Sequence, residues 1–136
     1  MMKQMLGCVA LLCGWSMAVG SLQAHHSLAG VYDMKTEKEL SGSVVKIVFS
    51  NPHGSLTIAV KNEDGTTTEW VFTLGSANQL AQRGIGKTGP NALHEGDNIK
   101  VKYLPARNGN PLGALRAVTM PDGRVIQTSN GSANGD

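Results

Sequence analysis

The chain contains 136 residues, of which 40% are hydrophobic, 16% are charged and only 4% are aromatic. This length sets an upper limit of one domain, and 12 Lys and Arg against 10 Asp and Glu leave a formal charge of only +2. These values exclude a large multidomain enzyme, a polytopic membrane protein and a highly charged tail protein. No basic run supports a nucleic-acid partner. The 17 glycines favour turns and short strands over long helices.

Residues 1–24 have the layout of a secretory signal peptide, with a positively charged start and an apolar stretch over residues 5–19. That stretch is shorter than the roughly 20 residues that a membrane-spanning helix needs. We expect cleavage after Ala24, with Gly20 as a competing site, and hence a periplasmic or secreted protein without a membrane span. Cys8 and Cys13 lie inside the signal, so the mature chain is expected to contain no disulfide and no zinc–thiolate site. A retained anchor and lipidation at a cysteine are the alternatives.

The expected mature chain divides into three parts. Residues 25–39 are polar without a sustained period and predict an extended N-terminal arm. Residues 40–127 contain the β-branched and alternating segments and predict a small β-barrel domain. Residues 128–136, rich in Ser, Asn and Gly, predict a disordered tail.

Alternating or β-branched segments predict five to six strands in the domain. Asn62-Glu63-Asp64-Gly65 predicts a hairpin turn between the second and third strands, and a short helix capped by Ser76 or Asn78 should follow over residues 76–83. The predicted strands are residues 44–49, 56–60, 70–74, 99–103 (edge-like because of its lysines), 115–120 and 125–126.

This order of elements is typical of one fold class. Three strands, a helix and two or three further strands predict a mainly β protein, a small OB-like antiparallel barrel with the helix between strands 3 and 4. An open β-sandwich is the alternative. Trp70 and Phe72 share one face of the third strand, and we interpret them as core residues rather than a stacking platform for nucleic acid.

Four histidines follow the predicted cleavage site, and three of them suggest a metal site. Cleavage after Ala24 would make His25 the N-terminus, with its free amine and ring Nδ1 both placed for chelation. His26 could bind instead through the amine, its deprotonated amide and its imidazole. Tetragonal nitrogen ligation favours Cu(II).

His53 is the expected third partner, because it lies in the turn Asn51-Pro52-His53-Gly54 between the first two strands. Such a loop is a common binding surface of OB barrels. A histidine in this position can also simply hydrogen-bond a strand end. We interpret the remaining histidine, His94, as a surface turn residue.

The sequence does not favour an enzyme. Ser27 lacks an evident partner for a catalytic triad, and a Gly-x-Ser-x-Gly motif is absent. Residues 84–89 do not have the spacing of a phosphate-binding loop. Two functions therefore remain: a copper-binding protein with copper as its cofactor, and a metal-free interaction module that binds a periplasmic protein or an envelope ligand.

Five separated motifs occur in a fixed order: His25-His26-Ser27, Asn51-Pro52-His53, residues 70–76 (WVFTLGS), Glu95-Gly96-Asp97 and residues 121–124 (PDGR). Over residues 25–127 the chain resembles a family of small exported bacterial proteins known only as a domain of unknown function. The resemblance implies export and a small β-rich domain, without an activity or catalytic residues. Gly54 departs from the larger, often aromatic residue expected after Asn-Pro-His, which predicts a less shielded loop.

Overall fold

The computed structural model describes residues 26–128, with only the backbone described for His26 and Ser27. The predicted signal peptide, His25 and residues 129–136 lie outside the described residues. Six strands and two short helices follow one another in the order α1 (His26–Val31), β1 (Lys38–Val48), β2 (Ser55–Lys61), β3 (Thr67–Thr73), α2 (Ala77–Gln82), β4 (Asn98–Pro105), β5 (Leu112–Thr119) and β6 (Val125–Gln127).

Five of these strands close into a barrel. The sheet runs β3-β2-β1-β4-β5-β6, and an additional pairing between β3 and β5 closes it. Neighbouring strands are antiparallel except at this closing seam, where Val71–Thr73 runs parallel to Leu112–Ala114. The closed order β1-β2-β3-β5-β4 confirms the mainly β, OB-like prediction over the open sandwich, and β6 lies outside the barrel as a short addition to β5.

The β2–β3 hairpin forms as the alternation predicts. Its register pairs Leu56 with Phe72 and Ile58 with Trp70, and the pattern of burial alternates along β2. The turn uses Gly65 at a φ of 86°, a conformation that residues with a side chain rarely adopt. Local turn chemistry and period-two hydrophobicity thus determine this register.

Three aromatic rings occupy the middle of the barrel core. Phe72 is fully buried, and its ring centroid lies 5.1 Å from that of Tyr103 and 6.2 Å from that of Trp70. Trp70, which is only partly buried, packs against this core as expected. At the seam Gly113 faces Phe72, and a Cβ at Gly113 would lie 2.5 Å from the Tyr103 ring. The absence of a side chain at position 113 therefore lets β5 approach the aromatic cluster closely enough to close the barrel.

Helix α2 lies where the sequence predicts it, between β3 and β4, and covers one end of the barrel. Ser76 caps it, with its side chain accepting from the backbone N–H of Gln79 while the Gln79 side chain accepts from that of Ser76. This capping box satisfies two backbone donors that the helix itself leaves unpaired. Leu80, fully buried, anchors the helix in the core.

The predicted extended arm is wrong, because it contains α1 and the start of β1. The main chain of Arg107 donates to Val31 O and its Nε donates to Ala29 O, so tertiary contacts supply partners for carbonyls at the helix end. Strand β1 begins at Lys38, and its first half pairs with β4. Among the charged residues of this segment, Lys38 and Glu39 are exposed positions of that strand.

Two further strands differ from expectation. Strand β4 is not an edge, since it pairs with β1 on one side and with β5 on the other. Its lysines alternate with buried residues because the barrel exterior faces solvent, which gives a paired strand the same pattern as an edge. Strand β5 begins at Leu112, earlier than the predicted residue 115, because its first residues form the seam.

The described chain also includes Thr128, the first residue of the predicted tail. Thr128 is buried, and its backbone N–H donates to Arg116 O. Among residues 26–128, no helix is long and apolar enough to cross a membrane.

Candidate functional site

The turn between β1 and β2 places His53 on a framework of hydrogen bonds. Asn51 Oδ1 accepts from the backbone N–H of Ala77 at 3.1 Å, so this side chain is fixed at the start of α2. The Ser50 hydroxyl donates to the carbonyl of His53. The Asn51–Pro52 peptide is cis. The turn is therefore held at both ends, while the His53 side chain is exposed.

The packing around Gly54 explains why the fourth residue of this turn has no side chain. It is buried, its N–H donates to Gly75 O and its carbonyl accepts from the N–H of Leu74. A Cβ at this position would clash with the carbonyl oxygen of Val48. The backbone at position 54 thus packs between β1 and the end of β3, whereas Asn51, Pro52 and His53 before it are exposed.

His53 lines a cavity of about 190 Å³ that is partly open to solvent. Its inner wall is formed by Leu74, Leu104 and Leu115, which are all buried. Leu28 of α1 lies on the outer wall, 41% exposed. The cavity therefore joins the start of the described chain to the turn that carries His53.

A second tether holds the N-terminal segment over this cavity. The hydroxyls of Tyr32 and Thr73 lie 2.7 Å apart within hydrogen-bond distance, and Thr73 also lines the cavity. Tyr32 forms an isolated bridge with Ala106 and is buried. The backbone of Asp33 donates to Pro105 O. These contacts hold the segment that follows α1 beside the ends of β3 and β4.

The structure places the predicted site residues differently. His53 and Leu28 share the cavity, and His26 begins α1 two residues before Leu28, whereas His25 lies outside the described residues. His94 does not line this cavity, because it lies in the turn just before β4. Its Nδ1 is 3.6 Å from Asp97 Oδ2, and its side chain is 70% exposed. Within residues 26–128, no group of three or more His, Cys, Asp or Glu side chains could hold a metal ion. A metal site at His53 would therefore need ligands beyond the side chains that the structure describes.

Sequence reasoning missed the rest of the cavity. Arg116 and Gln79 line it beside His53, and Met34 adds to its outer wall. One signal was present, because Arg116 is the sole charge within the β5 sequence LGALRAVT. A charge inside an otherwise apolar strand indicates a position with a special environment.

Comparison with known protein families gives a match over most of the chain. Residues 13–116 match Family of unknown function (DUF6152). No curated protein and no solved structure matches the chain.

Proposed function

Because the chain belongs to this family of unknown function, its residues must supply the argument, and from them we propose that the exported protein binds Cu(II). The ligands are the amine and ring nitrogen of His25, exposed by cleavage after Ala24, and the imidazole of His53. His26 provides the other mode, through the amine, its own amide and its imidazole. The observation that supports this proposal is the cavity shared by Leu28 and His53.

The geometry of α1 makes such a site reachable. The helix begins at His26, and the first N–H groups of a helix have no acceptor within it. The amide of His26 is thus free of the helical hydrogen-bond pattern. Leu28 is only three positions after His25 in the sequence, fewer than the 3.6 residues of one helical turn, so the proposed ligands lie close to the cavity wall along the chain.

The environment of His53 leaves its imidazole available as a metal ligand. Its imidazole has no hydrogen bond or ion pair with any residue in the described part of the chain, and its backbone is fixed by the turn. Fixing the ligand before the ion arrives reduces the ordering cost of binding. Imidazole and amine nitrogens in a tetragonal arrangement favour Cu(II), which also has the highest affinity of the divalent first-row ions.

We expect the affinity for Cu(II), measured by competition with a chelator, to fall in His25→Ala and in His53→Ala. Adding one Ala before His25 should be comparably harmful, because it separates the amine from the ring. The matched control is His94→Ala, which removes an exposed histidine away from the cavity. Affinity should also decrease from neutral to mildly acidic pH, because protons compete with copper for the same nitrogens.

Intact mass must first show a chain that begins at His25. A chain beginning at Ser21 would remove the amine from the chelate. Equal copper affinity in the parent protein, His53→Ala and the Ala-extended protein would contradict the proposal and favour the metal-free interaction module. Under that alternative, His53→Ala would weaken the binding of a protein partner and leave the affinity for metal unchanged.

A further inference from the structure

The cavity beside His53 has the composition of a site for a small organic molecule. Its inner wall is three buried leucines, and the exposed Leu28 and Met34 form an outer lip. The volume of about 190 Å³ compares with about 150 Å³ for an apolar protein cavity that binds benzene. The space therefore fits one molecule slightly larger than a benzene ring.

A β-bulge brings an arginine to this cavity. In the β4–β5 register, Lys102 pairs with Ala117 and Tyr103 pairs with Leu115, so Arg116 is the extra, unpaired residue of β5. A bulge changes the direction of a side chain relative to the regular pleat. Here the strand keeps Leu115 in the core while Arg116 lines the cavity together with Ala114.

The polar groups of the cavity are mainly donors. The Arg116 guanidinium and the Gln79 side-chain NH₂ have no hydrogen-bond partner within residues 26–128, and neither has the imidazole of His53. The Oε1 of Gln79 is already engaged by the N–H of Ser76. No Asp or Glu lines the cavity among the described residues. An uncompensated guanidinium beside an apolar wall favours an anion with an apolar body.

We infer that this cavity binds a small carboxylic acid with an apolar body of about the size of benzoate. The carboxylate pairs with Arg116 and accepts from Gln79, and the apolar body packs against Leu74, Leu104 and Leu115. A planar two-oxygen anion matches the forked donors of arginine better than a spherical ion does. This site does not depend on copper, because neither Arg116 nor the leucines are proposed metal ligands.

The test is a titration of the processed protein with benzoate in the presence of EDTA, followed by calorimetry and by chemical shifts of the leucine methyl groups. We expect a dissociation constant on the order of 0.1–1 mM, given the small number of ligand atoms. Benzamide, which has the same shape without the charge, should have an affinity at least about tenfold lower than that of benzoate. Equal affinity for the two compounds would overturn the inference, and so would the absence of binding at tens of millimolar benzoate.

Two variants locate the site. Arg116→Gln should weaken benzoate binding about tenfold, as expected for loss of a charge-assisted contact, and Ala114→Met should abolish it by filling the cavity. Lys46→Gln is the control, because it removes a positive charge from an exposed residue that does not line the cavity. Unchanged binding in Arg116→Gln would overturn the inference. Circular dichroism checks that each variant is folded, and if one is not, the benzoate–benzamide comparison on the parent protein decides.

Binding that appears only when Cu(II) is added would also overturn the inference, since the carboxylate would then be a copper ligand. Failure of the copper proposal leaves the benzoate measurement in EDTA unaffected. The two proposals are therefore tested separately.

Discussion

The interior of the barrel and the cavity beside His53, which lies at the β3–β5 seam, adjoin each other but differ greatly in packing density. The interior retains a cavity of only about 10 Å³, room for at most one water, among residues such as Leu80, Leu93 and Met120. The seam cavity has about 190 Å³ and is bounded on one side by half-exposed side chains of the N-terminal segment. Dense packing stabilises the fold, whereas the seam keeps space and unpaired donors that stability alone does not require.

The largest effect should come from the interior. Phe72→Ala removes a fully buried ring that contacts both Trp70 and Tyr103, and should lower the free energy of unfolding by about 3–5 kcal/mol. Urea denaturation followed by tryptophan fluorescence measures this loss. Phe72→Leu is the matched control and should lose less, because most of the volume is kept. A loss below about 1 kcal/mol for Phe72→Ala would show that the interior is not the tightly packed region described here.

A smaller effect is expected at the cavity wall. Tyr32→Phe removes the 2.7 Å hydrogen bond with Thr73 and should cost about 1 kcal/mol of unfolding free energy. The control is Tyr103→Phe at neutral pH, because no hydrogen bond joins the Tyr103 hydroxyl to residues 26–128. Amide exchange at residues 28–33 should accelerate in Tyr32→Phe more than exchange in β2. Equal acceleration in both places would mean that α1 is not held separately from the barrel.

The smallest effect depends on alkaline pH and concerns the interior again. Burial raises the pKa of Tyr103 above its ordinary value of 10.0. The unfolded chain therefore loses this proton at a lower pH than the folded protein does. The contribution of Tyr103 to stability is constant below pH 10.0 and is lost as the pH rises through the interval between the two pKa values. Urea denaturation at a series of pH values should show a steeper alkaline decline for the parent protein than for Tyr103→Phe, and identical slopes would contradict this.

Elements defined by local chemistry were predictable from the sequence. The alternation in β2 and β3, the glycine at position 65 and the capping serine at position 76 each act through neighbours in the chain, so their patterns are visible without the fold. The turn carrying His53 was predictable for the same reason. These local signals, arranged in order, were sufficient to predict the OB-like barrel.

Features that depend on distant contacts were not predictable in the same way. Helix α1 lacks a helical period, and its carbonyls find donors on Arg107, far along the chain. The bulge at Arg116 depends on register with β4, and the clash that requires Gly54 involves a carbonyl of another strand. The cavity, formed by these three regions together, therefore becomes visible only in the folded protein.

The parallel seam between β3 and β5 also has a consequence for the order in which the chain folds. The hairpins β1–β2 and β2–β3 join segments that are adjacent in sequence, so the entropy lost on closing their short loops is small. Pairing Val71–Thr73 with Leu112–Ala114 encloses α2, β4 and their connections in one long loop, and only three residue pairs reward its closure. The first three strands can thus form a meander early, whereas the barrel closes only when β5 pairs with β3 beside Phe72. Loop-closure entropy therefore predicts that the non-local pairings, β3 with β5 and β1 with β4, form later than these hairpins.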